Sequence, residues 1–271
     1  MRPLVMGVLN VTPDSFYDGG RYFDREAAIA HGRALVVEGA DIVDVGGESS
    51  RPGAEPVTRD EELRRVLPVV AALAPEVRVS IDTMKPEVAT AAVEEGATLV
   101  NDVACRLADV AAATGAGLVV MHMRGTPKDM QRDPRYDDVV REVFRSLIDA
   151  ATAAHAAGVG ELYVDPGIGF GKTAEHNLAL LQAVPELVAL GEPVLIGTSR
   201  KSFLGRLLAS AGAPPLPAEE RFEASLATAV WAMAAGAAIV RVHDVRATAQ
   251  AARLVGEVAR TATPASAGVA R

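Results

Sequence analysis

Residues 77–102 read VRVSIDTMKPEVATAAVEEGATLVND and hold one full structural period of the chain. Val77 to Ile81 is a run of strand length, Pro86 to Glu95 has helical spacing with proline at its start, and Thr98 to Val100 is a second apolar run. Strands that are apolar on both faces and separated by helices imply a parallel sheet, because parallel neighbours need a crossover. The rhythm continues in both directions, with further runs at Leu4 to Leu9, Asp41 to Val45, Gly117 to Met121, Leu162 to Val164, Val194 to Ile196 and Ile239 to Val242. Representative helices are expected at Asp24 to Glu38, Arg59 to Leu73, Tyr136 to Ala157 and Glu219 to Ala235. Eight strand–helix units without a linker predict a single-domain α/β fold, a (β/α)8 TIM barrel over residues 1–260, with 261–271 a flexible tail. An open doubly wound sheet is the alternative arrangement.

Composition narrows the function classes. An apolar fraction of 49% supplies a full core, and with aromatics at only 4% that core is built from Ala, Val, Leu and Ile. Basic minus acidic residues is 27 − 35 = −8, which disfavours nucleic acid as a partner. No apolar stretch reaches spanning length, and the N-terminus lacks a signal-peptide cleavage pattern, so no membrane association is expected. The single cysteine, Cys105, excludes an internal disulfide and fits a reducing cytoplasm. Arginine replaces lysine almost everywhere, leaving Lys85, Lys128, Lys172 and Lys201 as mild pointers to places where a compact ammonium matters.

In a barrel of this kind the chemistry gathers where strands end. Those places read Asn10, GGESSRPG (46–53), Asp82, Asn101-Asp102, His122, DPG (165–167), TSRK (198–201) and RVHD (241–244). One buried Asp or His is usually a satisfied structural group, but eight polar ends on one rim imply a polar pocket with a ligand. GIGFGKT at 167–173 is one residue short of a phosphate-binding P-loop and lacks dinucleotide spacing, so a flexible glycine turn is the better reading. His31, His155 and His176 are scattered on helices and support no zinc site. The loop NVTPDSFYDGG offers Asn10, Asp14 and Asp18 as hard oxygen ligands that suit Mg²⁺ beside a diphosphate; an ordinary Asp/Asn-rich turn fits it equally.

The chain resembles the dihydropteroate synthase family of the folate pathway. The resemblance is carried in order by MGVLNVTPDSFYDGG (6–20), DVGGESSRPGA (44–54), SIDT (80–83), ND (101–102), MHMRGTPKDMQ (121–131), DPGIGFGK (165–172), GTSRKSFLG (197–205) and RVHDV (241–245). It implies a barrel that joins 4-aminobenzoate to 6-hydroxymethyl-7,8-dihydropterin diphosphate, giving dihydropteroate and pyrophosphate. By resemblance the pterin is held deep in the barrel by Asp82, Asn101, Asp165 and Lys201. The diphosphate lies near Asn10, Ser50, Arg241 and His243, with Mg²⁺ on Asn10. Aminobenzoate lies nearer the mouth, by Phe16, Arg51, Pro52, Phe170 and Lys201, its carboxylate meeting Ser202 and the following helix. Asp82, Lys201, Arg241 and His243 carry the catalytic work, with no Ser, Cys or His nucleophile. A homodimer is the family's usual state.

Two departures stand out: Ala104-Cys105 follows Val103 where the family pattern has Ser-Gly, and Ser50 stands where Thr is frequent. The rival readings are a pterin-barrel methyltransferase acting on methyltetrahydrofolate and a non-catalytic pterin-binding paralogue. GGESSRPG and SRKSF oppose the first, and intact Lys201, Arg241 and His243 oppose the second. The loops Asn10 to Tyr22 and Gly47 to Glu55 are expected to close over bound pterin and diphosphate and to complete the aminobenzoate site.

Overall fold

The computed structural model describes residues 2–12, 25–49, 55–126 and 129–262. Eight strands alternate with helices: β1 Leu4–Asn10, α1 Arg25–Glu38, β2 Ile42–Gly46, α2 Arg59–Leu73, β3 Arg78–Asp82, α3 Pro86–Glu94, β4 Leu99–Asp102 and α4 Ala108–Thr114. The second half continues with β5 Gly117–Met121, α5 Val139–Ala157, β6 Leu162–Asp165, α6 Ala174–Gln182, α7 Val184–Val188, β7 Leu195–Ile196, α8 Ser202–Leu208, α9 Phe222–Ala234, β8 Ile239–Val242 and α10 Val245–Ala262. All neighbours pair in parallel, in the order β6-β5-β4-β3-β2-β1-β8-β7. A bridge between Val164 and Val194, with Val164 N–H donating to Pro193 O at 3.0 Å, joins the two ends and closes a TIM barrel. The open-sheet alternative is excluded.

Alternation along the strands separates two apolar sets. Residues such as Val5, Val43, Val79, Val100, Leu118 and Val240 face the helices and belong to the main core. Met6, Ile42, Leu99, Val119, Tyr163, Leu195 and Ile239 form a second cluster, one residue from every strand but β3, that fills the lower barrel interior. Two residues further along these strands the same inward positions hold Asp44, Asn101, Asp165 and Arg241. The pleat's period of two carries each strand from the apolar plug to a polar end.

Several boundaries differ from the sequence reading. α5 starts at Val139 rather than Tyr136 because the Asp138 carboxylate caps it, accepting from Arg141 N–H at 3.0 Å. α9 starts at Phe222 rather than Glu219, since residues 218–220 form a separate 3₁₀ turn. Asp41 stays outside β2, its carboxylate engaged by Arg2 at 2.8 Å and Val5 N–H at 2.9 Å. α10 reaches Ala262, and the expected tail lies outside the described residues from 263 on.

Candidate active site

The polar ends of β2, β3, β4 and β8 meet in one network. Arg241 on β8 donates through Nε to Asp44 at 2.6 Å and through Nη2 to Asp82 at 2.7 Å, and Asn101 Nδ2 donates to Asp44 at 3.0 Å. Register explains the convergence, because Gly46, Asp82 and Asn101 are laterally paired on β2, β3 and β4, and the glycine leaves room above Asp82. Asp44 is wholly buried and its second oxygen, like Ser80 Oγ, has no hydrogen-bond partner among the described residues. Burial raises the Asp82 carboxyl to about 7; Arg241 opposes the shift and Asp44 adds to it. Burial also works against the Arg241 charge, but Asp44 and Asp82 overcome it and its pKa lies above the ordinary value.

Asp165 and Lys201 stand at the ends of neighbouring strands. Asp165 is buried and accepts from Gly167 N–H at 2.7 Å; burial raises its pKa, with Lys201 opposing. Lys201 Nζ donates to the Ile168 carbonyl and lies 4.5 Å from the centre of the Phe170 ring. Burial lowers the Lys201 pKa to about 8, against the pull of Asp165. The chain aims Lys201 inward through a strained turn: Arg200 has φ 59°, its N–H donates to Ser225 Oγ at 2.9 Å, and its carbonyl accepts from Arg221 at 2.8 Å. Arg200 is also paired with Asp244 at 2.7 Å, and Ser202 opens α8 immediately after Lys201. His243 Nδ1 lies 3.0 Å from Ser199 Oγ.

A cavity of about 490 Å³ opens above this set and is lined by Asn10, Phe170, Lys201, Ser202, Arg241 and His243 among others. A larger one of about 660 Å³ shares Ser49 with it and runs past Lys85, Cys105, Met121 and His122. Among the described residues, those expected site residues that line a cavity line the smaller and not the larger. Cys105 is exposed on the wall of the larger cavity, with a left-handed φ of 53° and its thiol 3.1 Å from Met121 O. The stem of the 47–55 loop is anchored from below. Arg65 donates to Gly47 O at 2.9 Å, Lys85 bridges Glu48 and Glu62, and Thr83 donates to Glu62 at 2.7 Å.

Of the expected residues, Asn10, Asp82, Asn101, Asp165, Phe170, Lys201, Ser202, Arg241 and His243 gather at one barrel end; Phe16, Ser50, Arg51 and Pro52 lie outside the described residues. Asp44 was not singled out from sequence, although a carboxylate between two valines in the strand IVDVG was the available signal. Among the described residues no three His, Cys, Asp or Glu side chains form a metal cage. Asn10 lines the cavity with Arg241 and His243 and offers one neutral oxygen. That fits Mg²⁺ where diphosphate and water oxygens complete the shell.

A fold of this kind with a buried carboxylate–amide–ammonium set is a small-molecule enzyme site, and comparison with known proteins gives its class. The family model for pterin binding enzymes matches residues 6–243. Dihydropteroate synthase of Mycobacterium leprae is 51% identical over 93% of this chain and 92% of its own length. Solved structures of dihydropteroate synthase from Xanthomonas albilineans are similar throughout. The one with 4-aminobenzoic acid has TM-score 0.87 and 46% identity, covering 97% of this chain and 94% of that one. The complex with 7,8-dihydropteroate has TM-score 0.82 and 43% identity, covering 97% and 95%. The chain belongs to the pterin-binding enzyme family and, within it, to the dihydropteroate synthases, which are transferases.

Proposed function

We propose that this protein joins 6-hydroxymethyl-7,8-dihydropterin diphosphate to 4-aminobenzoate, releasing pyrophosphate. The observation that carries the reading is the buried set Asp82, Asn101, Asp165 and Lys201 beneath a cavity rimmed by Arg241 and His243. A dihydropterin edge offers adjacent N–H donors to the Asp165 carboxylate and an oxo group to Lys201. The exocyclic C–O bond breaks with its electron pair leaving on the diphosphate, the aniline nitrogen bonds to the freed methylene carbon, and the nitrogen's proton passes to solvent or to the departing pyrophosphate. Arg241 and His243 stabilise the leaving charge, while Asp82 faces the positive charge that develops on the pterin side. Mg²⁺ held at Asn10 supplies further neutralisation of the diphosphate.

Phe170, Lys201 and Ser202 border the aminobenzoate site, which Phe16, Arg51 and Pro52 complete in this reading, while Ser50 belongs with the diphosphate. One pterin-binding unit runs to the end of α10 at Ala262, two residues past the expected boundary, with 263–271 as its tail in this reading, in the cytoplasm. Among the described residues no helix is long and apolar enough to cross a membrane. The reading includes a homodimer, supported by Trp231 and Leu254, which are 58% and 66% exposed on the adjoining helices α9 and α10. Pyrophosphate release tests the function: it requires both substrates together, and release from the pterin diphosphate alone at the same rate contradicts synthase activity.

A further inference from the structure

Lys172 is one of the largest side chains buried to under 2% among the described residues, and no carboxylate there approaches it within ion-pair distance. Its ammonium lies instead in a cage of backbone carbonyls. It donates to Phe170 O at 2.9 Å, Gly167 O at 3.0 Å and His122 O at 3.3 Å, and it is 3.0 Å from His122 Nδ1. Burial, then the charges of Lys172 and Arg124, push the His122 pKa down to about 3, so its ring is neutral beside Lys172. Gly167 O also accepts from Phe170 N–H at 3.0 Å, but an apolar residue at 172 takes the ammonium donor from the Phe170 and His122 carbonyls, which makes the buried charge explicable.

The other side of the same loop touches the site. Ile168 O accepts from Lys201 Nζ, the Phe170 ring lies 4.5 Å from that ammonium, and a Cβ on Gly169 comes within 2.9 Å of Lys201 Cδ. The loop turns through Gly167, Gly169 and Gly171 at φ 66°, 84° and 62°. A Cβ at Gly167 meets His122 O at 1.9 Å and one at Gly171 meets Arg124 O at 2.5 Å, so glycine is required by space as well as by φ. Gln131 Nε2 donates to Gly169 O at 2.6 Å, Tyr136 Oη to Gly171 O at 2.9 Å, and Gly169 N–H to Asn177 Oδ1 at 2.7 Å. The turn expected to be flexible is pinned on every side.

We propose that Lys172 is a positioning residue for the active site: by drawing the Gly167 and Phe170 carbonyls inward it turns the Ile168 carbonyl and the Phe170 ring onto Lys201 and fixes that ammonium. The inference rests on the proposed role of Lys201 and Phe170 in binding the two substrates. It is tested with Lys172→Met at a temperature well below the variant's melting point. The KM for aminobenzoate and the Kd for the pterin alcohol rise roughly tenfold to a hundredfold, more than kcat falls. Both constants within about twofold of the parent, with only the melting temperature lowered, overturn the proposal and leave Lys172 a support of the fold. Should Lys172→Met fail to fold, Gln131→Ala and Tyr136→Phe release the same loop from outside, and unchanged KM values in both overturn it equally. If the parent enzyme makes no pyrophosphate from the two substrates, the functional reading fails instead. Lys172 is then judged by amide exchange over residues 167–171, which the loop-setting role requires Lys172→Met, or the two outer variants, to accelerate.

Discussion

The two ends of the barrel interior are built from the same strands and differ in how their polar groups are satisfied. At the lower end Met6, Ile42, Leu99, Val119, Tyr163, Leu195 and Ile239 close the barrel. The charge there is answered within the fold: Arg78 forks onto Glu161 at 3.0 and 2.6 Å, and Tyr163 Oη donates to Glu161 at 2.7 Å. At the upper end Arg241 joins Asp44 and Asp82, yet an Asp44 oxygen and Ser80 Oγ have no partner among the described residues, and Lys201 has a carbonyl and an aromatic face rather than a carboxylate within ion-pair distance. A closed polar set stabilises a fold, whereas one left partly open recognises something else.

Removing one charged partner from each end gives the largest contrast. Asp44→Ala leaves Arg241 with one buried partner and costs about 3–5 kcal/mol in denaturant unfolding, together with pterin binding. Arg78→Met breaks a partly exposed pair, with side chains 28% and 45% accessible, and costs about 1 kcal/mol or less with KM unchanged. Equal losses at the two ends break the distinction. A second effect separates charge recognition from support within the upper end. His243→Ala weakens binding of the pterin diphosphate by about 1.5–3 kcal/mol and leaves the dephosphorylated alcohol nearly unaffected. Calorimetry with both ligands measures this, and equal losses make His243 structural.

The smallest effect is a pH dependence. Burial holds the free-enzyme Lys201 pKa at about 8, and a pterin oxo group that accepts from the ammonium raises it in the complex. Binding therefore takes up protons above about 8, and affinity for the pterin alcohol falls with rising pH by at most about tenfold per unit. Titrations in buffers of different ionisation enthalpy report the uptake; affinity that rises with pH over this range contradicts a charged Lys201 in the complex. Lys201→Met removes the dependence.

The strands were legible because each is a short apolar run, and so were their polar ends, since Asn10, Asp82, Asn101 and Asp165 each interrupt such a run at its C-terminal side. Asp44 was harder, lying at the middle of its strand, where only the inward phase set by Ile42 marks it as facing the pocket. Lys172 stood out as a rare lysine, but its place in a glycine run invites comparison with phosphate loops, and its actual partners are backbone carbonyls that no residue pattern encodes. Lys85 stood out as a rare lysine too, but its partner Glu62 did not, because their contact joins α2 to the turn after β3, across 23 residues. The single bridge that closes the barrel between β6 and β7 likewise depends on curvature accumulated over eight strands rather than on any local segment.

Calorimetric titration of the pterin alcohol into the parent enzyme and Asp165→Asn tests the upper-end account most directly. Asparagine keeps the acceptor that Gly167 N–H uses at 2.7 Å but no longer accepts a pair of ring N–H groups with a full charge. The account predicts one equivalent bound by the parent and no measurable binding by Asp165→Asn, with both proteins melting cooperatively. Equal affinity in the two contradicts it and removes the pterin from this end of the barrel.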